Sequence, residues 1–371
     1  NAGFQKSNAD PFSFPPRLLF SPTFPKPLLS LANQSAMAAA QPPRFPVSAY
    51  ALAALASSMR DTLLDAAYNG DLLILKSALA RLVLLLGNGG SHPSPREAVE
   101  AARSDRGIWA LSIAANNGQL EVCRYLVQVL RVDVDAADDE GRTPLFYAVV
   151  SQNTAVVKYL LDHGADPDKA DADMLTPLHS AAGLGECEMI ELLLGKGASV
   201  DLIADEIGTP LHLATKERQV GAMKTLLDHN ADCNKTYMTF GLYPTTPLFE
   251  AVNVSSVECV KLLVEAGAVI NSDCVSTLSL DSTMGNDDST ECLNFLLEAC
   301  ANRDAADDDK DENTWKIALL KSFGSKAVQR KDYFSASAFY TKVWYIPCSF
   351  PASNYLRKKN GCKRADFQTG F

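Results

Sequence analysis

The chain has 371 residues, 47% of them apolar, enough to bury a large extended core. Its net charge of −10 argues against nucleic acid as the main partner, because phosphate binding needs a basic stripe. No apolar run reaches the ~20 residues of a membrane-spanning helix, so no membrane span is expected.

Residues 1–60 are rich in Pro, Phe, Ser and Ala and carry one acidic residue, Asp10, beside several basic ones. That composition is like an organelle transit peptide and would suit chloroplast targeting. The preferred reading instead starts the protein at Met37, before Ala38-Ala39-Ala40, with residues 1–36 a translated leader. Either way the segment lacks a core-forming pattern and is expected to be disordered. At Asp61 the pattern changes. Leu63, Ala66, Ala67 and Gly70 fall at helical spacing after Asp61, read as a cap. Leu72 to Leu86, interrupted only by Lys76 and Arg81, reads as a buried second helix. Residues 87–107 are an inserted loop, opening Gly87-Asn88-Gly89-Gly90-Ser91, with a short helix over 96–103. Trp109 to Ala115 opens the next helix pair, 34 residues before Thr143.

Four short segments then recur: Thr143-Pro144-Leu145, Thr176-Pro177-Leu178-His179, Thr209-Pro210-Leu211-His212 and Thr246-Pro247-Leu248. Their threonines lie 33, 33 and 37 residues apart. A period of that length marks stacked repeats. Thr is a helix N-cap, and Pro at the first helical position gives up an N–H that would be unpaired anyway. Small residues follow (Ala148, Ala181, Ala182, Ala214, Ala251), letting a neighbouring helix approach. Gly118 and Gly185 suit left-handed helix ends. Gln152, Arg218 and Ser255 replace that Gly, at up to ~1 kcal/mol each if they hold positive φ. A second apolar helix follows in each unit, as in Val156 to Leu161 or Met189 to Leu194. The units close on Gly164-Ala165-Asp166, Gly197-Ala198-Ser199, Asn230-Ala231-Asp232 or Gly267-Ala268-Val269.

Thr-Pro-Leu-His, Ala two positions on, Leu-Leu in the second helix and Gly-Ala after it resemble the ankyrin repeat. The resemblance covers residues 61–303, with a last unit reduced to the second helix Glu291 to Ala299. It implies an all-α ankyrin-repeat solenoid, a protein-binding array with no pocket dedicated to chemistry. It further implies that His179 and His212 hydrogen-bond the backbone of neighbouring hairpins. His163 and His229 read as solvated helix caps. The nine cysteines form no C-x-x-C or zinc spacing. Cys123, Cys187, Cys259 and Cys292 read as reduced core thiols. No cofactor, metal or catalytic motif is present, and no enzyme activity is expected.

In ankyrin arrays the hairpin tips stand side by side. Here they carry Asp138, Asp139 and Glu140, then Asp171 and Asp173, then Asp205 and Glu206, a stripe suited to a basic partner segment. The fourth tip is four residues longer and holds Tyr237, Met238, Phe240 and Tyr243. Two readings stand for it: exposed anchors for a partner, or a cover folded back on the array.

Residues 304–316 are an acidic linker. Within 317–344, Gly324, Asp332-Tyr333, Ala336 and Tyr340 resemble one tetratricopeptide repeat, a helical hairpin truncated before an irregular tail at 345–371. Lys321 stands where some such domains clamp the C-terminal carboxylate of heat-shock chaperones, but Ser325 replaces the Asn those domains place nearby. The two-module arrangement resembles ankyrin–tetratricopeptide proteins of plants. The expectation is a monomeric cytoplasmic adaptor that binds another protein. The alternative is a chaperone-linked adaptor with a complete tetratricopeptide module.

Overall fold

The computed structural model describes residues 49–87, 93–239, 243–271, 274 and 287–302, with Lys321, Gly324, Val328 and Tyr340. The readings of the leader up to residue 48, the acidic linker, the tail, Phe240 and most of the tetratricopeptide-like segment lie outside these residues. The chain divides into two compact units, one ending at Pro247 and the other starting at Leu248.

The first unit is a succession of antiparallel helix pairs. These are α1 (Ala49–Asn69) with α2 (Leu72–Leu86), and α4 (Ala110–Asn116) with α5 (Leu120–Arg124). Then come α6 (Pro144–Val150) with α7 (Thr154–Asp162), α8 (Pro177–Leu184) with α9 (Cys187–Gly195), and α10 (Pro210–Lys216) with α11 (Val220–Asp228). First helices pack on first helices and second on second. Close approach is possible because Ala110, Ala114, Ala148, Ala181, Ala182 and Ala214 occupy the contact and are wholly buried. Leucines at the following positions, Leu145, Leu178 and Leu211, fill the core between them.

Thr143 and Thr176 cap α6 and α8 as the motif requires, each hydroxyl accepting a backbone N–H three residues on. Gln152, Arg218 and Ser255 do hold positive φ, at 61°, 57° and 50°. They sit where Gly118 and Gly185 serve the neighbouring units, so the array carries local backbone strain at three helix ends.

Three expectations are corrected. Helix α1 runs unbroken from Ala49, so Asp61 lies inside it rather than capping it, and residues 49–60, expected to be disordered, are helical, although the first buried side chain among the described residues is still Leu63. Helix α2 is buried on one side only: Leu75, Ala78, Leu79 and Leu82 face the core, whereas Leu73 is 84% and Leu84 67% exposed. The fold is also not wholly helical. The lengthened fourth tip forms a two-stranded antiparallel ribbon, β1 (Tyr237–Thr239) with β2 (Tyr243–Thr245), pairing Tyr237 with Thr245. Aromatic and threonine residues favour such pairing, and the extra length gives the strands room to form.

The insertion between the first two repeats contains α3 (Pro95–Ala101), started by a reciprocal cap between Ser94 and Glu97. The 34-residue length of the second repeat is absorbed in its second helix. There α5 continues into a π turn over Tyr125–Val129, the usual way one extra residue enters a helix.

In the second unit α12 (Pro247–Asn253) and α13 (Val257–Glu265) form another pair, and α13 packs on α14 (Asp287–Asn302). Cys259 and Cys292 are buried there, as Cys123 is in α5. Cys187 differs: it starts α9 and is only partly buried. Burial pushes the Cys123 thiol up to about 12, which keeps it unreactive at neutral pH.

Candidate protein-interaction surface

The hairpin tips are tied to one another through the backbone. Asp139 N–H donates to Arg106 C=O at 3.4 Å, Ala172 N–H to Glu140 C=O at 2.8 Å, and Asp205 N–H to Asp173 C=O at 3.3 Å. One hydrogen bond per junction places successive tips in a fixed register, so side chains one repeat apart stand in a row. Asp139, Glu140, Asp173, Asp205 and Glu206 are exposed along that row.

Asp138 and Asp171 do not belong to the exposed stripe, although the sequence grouped them with it. Both are buried inside their own turns. Asp138 Oδ1 accepts the N–H groups of Glu140 and Arg142 at 2.9 Å each, and Oδ2 accepts the Tyr147 hydroxyl at 2.6 Å. Asp171 Oδ1 accepts the N–H groups of Asp173 and Leu175. Burial raises the Asp171 carboxyl above its ordinary value, against the pull of those two N–H groups. These two carboxylates shape the tips and leave partner recognition to their neighbours. Arg142 bridges two tips, 2.6 Å from Glu140 and 3.7 Å from Asp171, so part of the acidic charge is already balanced.

Three exposed apolar side chains accompany the carboxylates: Met174, Ile203 and Met238. Met174 holds φ +61° at the position where Gly141 sits one repeat earlier, and half of its surface faces solvent. A strained, exposed apolar residue gains nothing for the fold of its own tip.

The fourth tip separates its aromatics. Tyr237 is 5% exposed and lies edge-on against His212, so it covers the array and is not an exposed anchor. Met238, the next residue in the strand, points the other way and is 51% exposed, as the period of two demands. For Tyr243 only the strand backbone is described.

His179 and His212 act as the resemblance implied. The Thr176 N–H donates to His179 Nδ1 at 3.2 Å, which makes Nδ1 the acceptor and puts the proton on Nε2. Nε2–H then donates to Gly208 C=O at 3.0 Å. His212 repeats this, taking the Thr209 N–H and reaching Thr245 C=O at 3.2 Å. Burial lowers both imidazoles to about 4, so they stay neutral. Trp109 does the same work where no His-bearing motif exists: its indole N–H donates to Ala137 C=O at 2.9 Å, with the Arg103 guanidinium 4.0 Å over the ring. His163 and His229 end their helices as read, His163 stacked on Tyr159 and His229 2.8 Å from Glu191.

A second set of residues escaped the sequence reading. Asp135, Asp168 and Asp201 each reach the following repeat. Asp168 accepts the Ser199 N–H at 2.8 Å and its hydroxyl at 2.6 Å, while Asp135 and Asp201 accept the N–H groups of Asp166 and Asp232. Their common spacing of 33 was the available signal. Among the described residues no group of three or more His, Cys, Asp or Glu could hold a metal ion. Nor is any described helix long and apolar enough to cross a membrane.

A family model described as ankyrin repeats (3 copies) matches residues 63–171 and 166–237, and a single ankyrin-repeat model matches residues 245–274. Together these spans exceed half of the sequence. The chain belongs to the ankyrin-repeat family. Among curated proteins the ankyrin chain is similar to the palmitoyltransferase akr1 of Schizosaccharomyces pombe, 39% identical over 57 residues, which is 15% of this chain and 9% of that protein. It is also similar to the transient receptor potential channel pyrexia of Drosophila melanogaster, 42% identical over 50 residues, 14% of this chain and 5% of the channel. Alpha-latrocrustotoxin-Lt1a of Latrodectus tredecimguttatus is 37% identical over 71 residues, 19% of this chain and 5% of the toxin. The ankyrin chain thus spans less than a tenth of the curated relatives it matches. Among solved structures, the human ASB11 ankyrin repeat domain is 28% identical with a TM-score of 0.46, covering 58% of this chain and 89% of that one. Ankyrin repeats are protein-interaction modules, and the similarity to the palmitoyltransferase is confined to repeat sequence.

Proposed function

We propose that this ankyrin chain is a non-catalytic adaptor whose hairpin-tip row holds a basic, partly apolar segment of another protein. The observation that carries the reading is the backbone-tied register of the tips. It lines up five exposed carboxylates with Met174 and Ile203, and Met238 is exposed on the ribbon of the fourth tip. Carboxylates on successive tips steer and orient a cationic segment. The methionines supply adaptable apolar contact. Asp138, Asp171 and Tyr237 serve this surface by shaping it from inside.

The test compares capture of partners by the whole chain and by a variant with Asp139, Glu140, Asp173, Asp205 and Glu206 changed to Lys. A partner retained by the wild type at low salt, released at high salt and absent from the variant supports the reading. A partner held equally by both, at both salt concentrations, overturns it.

A chaperone-linked adaptor is the second reading. Its support is that Gly324 is packed so closely beneath Tyr340 that a Cβ there would lie 2.7 Å from the ring. Close helix approach at those two positions is what a tetratricopeptide hairpin uses. Binding of a peptide ending in the acidic chaperone carboxylate motif, lost on Lys321→Ala, would favour this reading.

A further inference from the structure

Helix α2 carries apolar residues on both of its sides, so both would gain from being covered. One side is covered by the array through Leu75, Ala78, Leu79 and Leu82. On the other side Leu73, Ser77, Ala80 and Leu84 are all exposed. Their spacings of four, three and four residues are those of a coiled-coil seam. Leu73 and Leu84 stand at its ends, and small Ser77 and Ala80 leave a notch between them. The Ser77 hydroxyl is bonded back to Ile74 C=O at 2.9 Å, so the notch offers no unsatisfied donor. Beside the seam, at the flanking positions where coiled coils carry pairing charges, stand Lys76 and Arg81. Lys76 lies 4.7 Å over the Tyr125 ring, and Arg81 makes no ion pair among the described residues. The helix contains no acidic residue.

We propose that this outer face of α2 docks an amphipathic helix of a partner protein, with large apolar knobs for the notch and acidic residues at its flanking positions. The occupant follows from charge and shape. A second copy of the chain would bring Lys76 and Arg81 against their own kind in a parallel seam. A lipid surface would leave the notch between Leu73 and Leu84 unfilled. A helix with Leu in the seam and Glu beside it satisfies both features. The face lies on the second helix of the first pair, apart from the hairpin tips, and the inference is independent of what those tips bind.

The test titrates the whole protein into a fluorescein-labelled, end-capped peptide of roughly 18 residues with Leu at the seam positions and Glu flanking, and into its Lys-flanked counterpart. The expected result is binding of the Glu peptide at least about tenfold tighter than the Lys peptide. Leu73→Glu with Leu84→Glu should weaken it at least about tenfold, and Arg81→Glu about threefold, at an unchanged melting temperature. Equal binding of the two peptides, or binding of neither, overturns the proposal. So does flotation with phosphatidylcholine–phosphatidylserine vesicles in place of peptide binding. So, too, does a dimer in sedimentation that the double variant splits, or a lowered melting temperature in that variant, which would mean that the chain itself covers the face.

Discussion

Tyr237 stands edge-on to His212, ring centroids 4.9 Å apart and 84° between planes, while the same imidazole reaches Thr245 C=O at 3.2 Å. One histidine thereby grips both strands of the β-ribbon, one through its ring edge and the other through Nε2–H. The lengthened tip is built onto the array and presents only part of itself to a partner. Tyr237→Ser should therefore cost roughly 2–4 kcal/mol, as for loss of a buried aromatic. Met238→Ser, one residue on and half exposed, should stay within about 0.5 kcal/mol. Urea unfolding of the two single variants checks this, and equal effects would return Tyr237 to the exposed row.

The close approach of Gly208 to that ring gives a second test. Gly208 has φ +86°, and a Cβ there would sit 2.5 Å from Tyr237 Cδ1. Gly164 has φ +91°, but a Cβ would meet nothing within 4 Å. Gly164→Ala should cost about 1–2 kcal/mol, from the left-handed backbone alone. Gly208→Ala should cost more, because a clash with a rigid ring adds to the same strain. Thermal unfolding of the pair separates backbone strain from overpacking.

Acid should weaken the array through its two buried histidines. His179 and His212 titrate at about 4 in the folded chain against 6.5 unfolded, with burial the leading cause. Between those values the unfolded chain binds protons that the native one refuses. Their contribution is complete above pH 6.5 and is lost as pH falls toward 4, at up to ~1.4 kcal/mol per pH unit for each. Asp135, Asp171 and Asp201, held above their ordinary values by burial, act in the opposite direction over the lower part of that range. Measured near pH 5.5, proton uptake on unfolding should fall by nearly one when His212 is changed to Asn.

The aspartate series predicts where acidic residues matter for folding. Asp168→Ala removes two acceptor bonds to Ser199 and should cost ~1–2 kcal/mol. Asp173→Ala removes an exposed carboxylate with no such role and should cost less than about 0.5 kcal/mol. Denaturant midpoints of the two variants, at equal net charge, report the difference.

The repeat itself was legible in the sequence because its signals are local. Thr143 and Thr176 cap, Pro144 and Pro177 open helices, and alanines at fixed offsets admit a neighbour, all within a few residues of chain. Even the strained ends at Gln152, Arg218 and Ser255 could be named, because a missing Gly at a helix terminus is a local fact. What only the tertiary structure decided was the direction in which equivalent residues point. Asp138 and Asp139 are adjacent and chemically identical, yet one is buried by the Tyr147 hydroxyl and two backbone N–H groups while the other faces solvent. Tyr237 and Met238 are likewise split by the alternation of a strand whose pairing partner lies several residues on. Leu75 and Leu84 both read as core in a helix interrupted only by Lys76 and Arg81, and the elements packed against it, α1 and α3, selected which side is buried. Periodicity specifies which elements form, whereas burial depends on what a distant segment places against them.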